Sequence, residues 1–201
     1  MKTENKNHFT ILMGESASGK TSIADELVKN YGYKKYLTCT TRPRREDERK
    51  DAYRFMSKER FTEELHNFIE IKTYRTILHD VEDTWYYGTP ILKKHFWDCL
   101  TKPKNYVIVL TLDGAKKFVE YYGAENCSVF YISVPTSTRY MRAKSRGEFC
   151  ESEWQRRYRA DIVDFPEKDV KKLADKIVKN TSSNINSAIM QILEYNNGRK
   201  D

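Results

Sequence analysis

The 201 residues carry 36 Lys plus Arg against 29 Asp plus Glu, a net charge of +7 that suits a polyanionic partner such as a nucleotide. The basic residues are interleaved with acidic ones and show no zinc-finger spacing, basic-zipper run or aromatic RNA-binding signature, which argues against nucleic acid. Cys39, Cys99, Cys127 and Cys150 form no CxxC pair, residues 1–7 are polar, and no apolar run approaches the ~18 residues a bilayer requires, so the expectation is a cytoplasmic protein with free thiols and no membrane contact.

In chain order, residues 8–13 form a short apolar run ending at glycine, and Ile23, Ala24, Leu27 and Val28 then share one helical face, which reads strand, loop, helix. Residues 39–89 break the rhythm: strand-like pieces at 53–56 and 68–74 surround a helical pattern at 58–67, as expected of an inserted substructure. Residues 105–112 and 127–134 are rich in Val, Ile and Tyr, as buried parallel strands are. Helical patterns follow each, at 113–122 and at 136–144, the latter starting just after Pro135. The highly charged stretch 145–165 reads as a lid, 176–179 as a last strand, and 184–195 as an amphipathic helix. Alternating strands and helices predict an α/β fold, a parallel sheet flanked by helices. A chain of this length suits one domain, here with a core of 1–37, 90–144 and 166–201, an insert at 38–89 and a lid at 145–165.

Between the first strand and helix lies Gly14-Glu15-Ser16-Ala17-Ser18-Gly19-Lys20-Thr21, a complete G-x-x-x-x-G-K-[ST] pattern, followed by Ser22. Glycines let such a loop curl until its N–H groups converge on a phosphate, and the helix N-terminus adds positive potential. Lys20 would reach the β- and γ-phosphates, and the Thr21 hydroxyl would bind Mg²⁺. The loop predicts a bound nucleoside triphosphate but leaves the phosphoryl acceptor open.

The acceptor is to be sought in Thr38-Cys39-Thr40-Thr41-Arg42-Pro43-Arg44-Arg45 and Asp51-Ala52-Tyr53-Arg54-Phe55. Two arginines three apart are forked, permanent cations suited to a phosphate monoester, and a tyrosine adds a neutral donor. Here the chain resembles the guanylate kinases, whose S-T-T-R-x-x-R and D-Y-x-F patterns it follows closely. Further matches are Asn67-Phe68-Ile69-Glu70, Tyr86-Tyr87-Gly88-Thr89, the segment 142–157 and Ile177-Val178-Lys179-Asn180, so the resemblance runs through nearly the whole chain. It implies a P-loop NTPase core with a mixed α/β GMP-binding insert and a helical lid. It also implies that Arg42, Arg45, Tyr53 and Tyr87 hold the phosphate of GMP, and that Thr38, Glu70 and Thr89 hold its guanine. Arg142, Arg146 and Arg157 would neutralise the triphosphate and the transferred group, and Asn180 would lie near the adenine of ATP, although an Asn capping the next helix explains that position equally well. Three departures stand out. Thr111 and Asp113 occupy the strand end where the family commonly has two aspartates, leaving Asp113 as the acidic candidate. Arg44 replaces a frequent proline, and the span between Glu70 and Tyr87 is several residues longer, as a longer hairpin or a contact surface would make it.

The reaction so implied is in-line attack by a GMP phosphate oxygen on the γ-phosphoryl of Mg-ATP, giving GDP and ADP, on a monomer or homodimer. Alternatives are a kinase for dGMP or another nucleoside monophosphate, and a non-catalytic interaction module of the same fold.

Overall fold

The computed structural model describes residues 7–44, 48–78, 81–92, 104–145, 149–181 and 184–199. The chain divides into two compact units, Met1–Lys35 with Pro103–Asp201, and Tyr36–Lys102.

The first unit is built on a five-stranded sheet. Its strands are β1 (His8–Met13), β2 (Lys34–Lys35), β7 (Asn105–Val109), β8 (Cys127–Ser133) and β9 (Lys176–Lys179), in the order β2-β7-β1-β8-β9. All its pairings are parallel; Ile11 aligns with Ile108 on one side and Val129 on the other. Successive side chains of a strand face opposite ways, yet Phe9 to Met13 are all buried, so both faces of β1 are covered. On one face Leu12, Val107, Phe130 and Val178 pack with Ile23, Ala24 and Leu27 of α1 (Lys20–Asn30) and with Ala188, Ile189 and Ile192 of α7 (Asn186–Gly198). On the other, Phe9 meets Phe118 of α3 (Leu112–Tyr122) edge to face, with ring centroids 5.1 Å apart. Helices α4 (Thr136–Lys144), α5 (Glu151–Asp164) and α6 (Glu167–Leu173) follow β8.

An expected boundary moves at the end of β7. The apolar run from residue 105 continues to Leu112, but β7 stops at Val109, because the Thr111 hydroxyl accepts the Gly114 N–H (3.3 Å) and starts α3 there. Leu112 is then buried as a helical residue. Helix α4 keeps the expected span, with Pro135 directly before its first turn.

The second unit carries a four-stranded sheet, β4-β3-β6-β5. Here β3 is Cys39–Thr40, β4 Arg54–Phe55, β5 Phe68–Leu78 and β6 Val81–Pro90. The helical pattern at 58–67 resolves into α2 (Lys58–Glu63), capped by Ser57, and a single 3₁₀ turn, Leu65–Asn67. The long span after Glu70 is a hairpin: β5 and β6 pair antiparallel from Phe68↔Pro90 to Leu78↔Val81. Alternating Thr, Tyr, Arg and Trp side chains suit such a pleated, half-buried ribbon.

Phe61 of α2 stacks on Phe68 (4.6 Å) and on Tyr86 (5.6 Å), closing one face of this sheet. Gly88 lies under that stack, and a Cβ there would sit 2.7 Å from Phe68 Cδ1 and 3.0 Å from Phe61 Cζ. Gly88→Ala is therefore expected to destabilise this unit by about 1–3 kcal/mol through overpacking. Urea denaturation checks this, and an unchanged midpoint would refute it.

Candidate functional site

In the first unit, β1 ends at the loop of residues 14–19 and α1 begins directly after it. Gly19 takes φ 94°, a conformation that L side chains rarely adopt, and a Cβ there would lie 2.6 Å from Asn180 Nδ2. Ala17 also sits in the left-handed region, at φ 59°. Lys20 folds back over the loop, its Nζ donating to Gly14 O (2.7 Å), Glu15 O (2.8 Å) and Ser18 Oγ (3.3 Å). The lysine's charge is thus held above the curled backbone, while Thr21 and Ser22 are exposed in the first turn of α1.

Asn180, just past β9, is buried against this loop and donates from Nδ2 to Ser18 O (2.8 Å). Its Oδ1 is buried and accepts no hydrogen bond from the described residues. An orphaned acceptor beside a phosphate loop is what a ligand donor would satisfy. Arg142 of α4 reaches the same place, its Nη2 donating to Asn180 O (2.9 Å). Lys20, Asn180 and Arg142 are therefore brought together from three distant segments. Arg157 is not: on α5 it donates from Nε to Glu153 Oε1 (2.6 Å), one turn away on its own helix. Arg156 first and then Arg157 hold the Glu153 carboxyl down at about 2. Asp113 stands in the first turn of α3 with its side chain 84% exposed, 3.9 Å from Lys116. Arg146 lies outside the described residues.

One buried group escaped the sequence reading. Arg139 of α4 is 1% exposed and threads between the loop and α5. Its Nη1 donates to Ser16 O (3.3 Å) and Asp161 Oδ2 (3.2 Å), and its Nη2 to Glu15 Oε1 (2.9 Å) and Thr136 Oγ1 (3.3 Å). Asp161 in turn accepts the Ser16 N–H (2.8 Å) and hydroxyl (3.1 Å). In sequence, Arg139 and Asp161 look like two more charges on charged helices, and no local pattern separates them from solvated neighbours.

In the second unit, the register of the hairpin sets the candidate acceptor site. Glu70 pairs with Thr89 and Lys72 with Tyr87, which puts Glu70, Tyr87 and Thr89 on one face. The Thr89 hydroxyl donates to Glu70 Oε1 (3.0 Å), fixing the carboxylate. Arg42, which follows β3, is buried and donates from Nε to Tyr87 Oη (3.1 Å). Its Nη2 contacts both Glu48 oxygens, at 2.7 and 2.8 Å. The Tyr53 ring lies under that guanidinium, 5.7 Å from it, and edge-on to Tyr87 at 5.9 Å. Burial, and then the neighbouring Tyr87, push the Tyr53 phenol above its ordinary value, so it stays a neutral donor at physiological pH. Thr38 contributes its carbonyl to the backbone, accepting the Arg54 N–H (2.8 Å). Arg45 lies outside the described residues. Glu48, to which the sequence reading gave no role, is the anion that Arg42 holds in this structure. Its position six residues downstream in a charged loop offers no pattern that marks it out.

No family model matches the sequence. Among curated proteins, the chain is similar to a guanylate kinase of Clostridium tetani, 28% identical over 77% of this chain and 71% of that one. It is also similar to a guanylate kinase of Mesoplasma florum, 30% identical over 95% of this chain but only 61% of that relative's length. Among solved structures, the guanylate kinase from Anaplasma phagocytophilum superposes with a TM-score of 0.65 at 18% identity, covering 97% of this chain and 87% of that one, a likeness of fold. With a phosphate loop in one unit and a carboxylate, two tyrosines and a buried arginine gathered in the other, the chain is similar to the guanylate kinases in sequence and in fold.

Proposed function

We propose that this chain transfers the γ-phosphoryl group of ATP to GMP, forming ADP and GDP. The observation that carries the acceptor is the Glu70–Thr89 pair on the same sheet face as Tyr87, the hydrogen-bond partner of Arg42. Guanine presents N1–H and N2–H₂ side by side, and an ionised carboxylate accepts both. Arg42 and Tyr53 with Tyr87 supply a cation and neutral donors for the phosphate of the same nucleotide, with Arg45 as a second cation. dGMP presents the same base and phosphate.

On the ATP side, the loop of residues 14–19, Lys20, Thr21 and Ser22 hold the phosphates. The orphaned Asn180 Oδ1 would accept a donor such as the adenine amine. Among the described residues no group of three His, Cys, Asp or Glu side chains is placed to hold a metal ion. That fits Mg²⁺, which keeps its waters and is bound chiefly by substrate phosphates with one or two protein oxygens, here the exposed Thr21 hydroxyl. When bound, the ion would neutralise charge on the β- and γ-phosphate oxygens.

A GMP phosphate oxygen attacks the γ-phosphorus, the bond to the β-phosphate oxygen breaks in line, and ADP leaves. The attacking monoester is mostly dianionic near pH 7, its second pKa being about 6, so no protein base is required. Catalysis is then positioning and charge neutralisation by Lys20 and Arg142, with Arg146 and Arg157 as further cations. For Arg157 this needs release from Glu153. Asp113, exposed on α3, is retained as the acidic candidate on the substrate side.

Among the described residues no helix is long and apolar enough to cross a membrane. Cys39, Cys127 and Cys150 are free, which supports a reducing, cytoplasmic setting. The test of function is a panel of acceptors with coupled detection of ADP. GMP should exceed AMP, CMP, UMP and dTMP by at least ~10²-fold in kcat/KM. If any of those four outruns GMP, the assignment of Glu70 falls.

A further inference from the structure

The contacts of Asp161 are those of a bound anion. One carboxylate receives the Ser16 N–H, the Ser16 hydroxyl and an Arg139 N–H, all at 2.8 to 3.2 Å. Two of those three donors belong to the phosphate-binding loop itself. A backbone N–H, a hydroxyl and a guanidinium converging on one point are the donor set that a phosphate oxygen takes. Within the cluster the carboxylates of Glu15 and Asp161 both face Arg139. Arg139 is 1% exposed, its Nε has no hydrogen-bond partner among the described residues, and its guanidinium lies 5.8 Å from the Trp154 ring of α5. A carboxylate held on the loop's donors works against an arriving polyphosphate.

We propose that Asp161 is a built-in placeholder for the terminal phosphate of the triphosphate, and that replacing it releases α5 from the loop. The proposal rests on the loop being the ATP site. Its chemistry is an exchange of anions on the same donors, with no bond made or broken. The γ-phosphate takes the Ser16 N–H and hydroxyl and the Arg139 N–H, and the Asp161 carboxylate goes to water. Helix α5 also carries Arg157, which in this structure is engaged with Glu153. Release of the helix gives that arginine the freedom to exchange Glu153 for phosphate. The device thus distinguishes ATP from ADP: only the triphosphate supplies the group that displaces Asp161.

Two measurements test it. Calorimetry of the wild type and Asp161→Asn with the β,γ-imido analogue of ATP and with ADP should show the analogue binding about tenfold tighter to the variant, and ADP changing by less than about twofold. Weaker binding of the analogue, or equal gains for both nucleotides, overturns the placeholder and makes Asp161 a structural support of the loop. Should that variant fail to fold, Trp154 serves as a reporter in a chain with Trp85→Phe and Trp97→Phe. Its emission should shift with the imido analogue and not with ADP. Binding of both by calorimetry with the same optical response overturns the placeholder and leaves the ATP site standing. If neither nucleotide binds the wild type, the ATP assignment falls and the placeholder with it.

Discussion

Lys20→Ala is expected to reduce phosphoryl transfer by at least ~10²–10³-fold, the loss typical of removing one preorganised donor from developing charge. The expectation follows from where the ammonium is held. Its Nζ spans Gly14 O, Glu15 O and Ser18 Oγ, so the charge hangs above the loop before any nucleotide arrives and needs little reorganisation on binding. Truncation leaves the loop carbonyls to water, and Lys20 is the half-buried first residue of α1, so the rest of the helix is retained. The loss should therefore appear in turnover, with GMP affinity retained because Glu70, Arg42 and Tyr87 belong to the other unit. Steady-state kinetics with a parallel calorimetric titration of GMP separates the two effects. Wild-type-like turnover would remove Lys20 from the mechanism.

How far the sequence reached depended on the distance over which each feature is encoded. The phosphate loop is eight consecutive residues between an apolar strand and an amphipathic helix, and β1 and β9 occupy the spans their local patterns predict. Where two local signals competed, the boundary moved: the apolar run through Leu112 argued for strand, and the Thr111 cap won. Candidates of the acceptor site were legible through a resemblance, but their juxtaposition is set by hairpin register, which aligns Glu70 with Thr89 across 19 residues. No periodicity fixes that register once a bulge intervenes between Phe68 and Glu70. Least legible was the ion cluster behind the loop. Ser16 and Asp161 are 145 positions apart, and Arg139 is a buried cation whose helix otherwise reads as solvated. Buried charges are recognised by their partners, and partners that far apart leave no trace in local pattern.

Carboxylates hold donors in both candidate sites. Arg42 holds Glu48 and the loop holds Asp161, so a carboxylate occupies the principal donors in each unit. In the proposed reaction both are anions that a phosphate must outcompete, and a phosphate carrying two charges does so where a neutral ligand would not. On that proposal discrimination at the phosphate end is by charge, and it is blind to the base. The base must be read elsewhere.

Glu70→Gln tests that reading, with an expected fall in kcat/KM for GMP of ~10²–10⁴-fold. The substitution is nearly isosteric and keeps an oxygen for the Thr89 hydroxyl, now 3.0 Å from Glu70 Oε1, so the sheet should be undisturbed. What changes is the other end of the group. An ionised carboxylate offers only acceptors, whereas the amide turns two N–H donors toward the N1–H and N2–H₂ donors of guanine. One guanine N–H is then left unpaired and another is opposed, which together cost about twice the ~1–3 kcal/mol of a single unsatisfied group. The signature is in the ratio of acceptors. IMP lacks the N2 amine, so the wild type should prefer GMP over IMP through the second hydrogen bond, and that preference should collapse toward unity in Glu70→Gln while thermal stability holds. If the variant keeps its kcat/KM for GMP within about twofold, guanine is not recognised by Glu70, and the specificity of this chain lies with groups other than the Glu70–Thr89 pair.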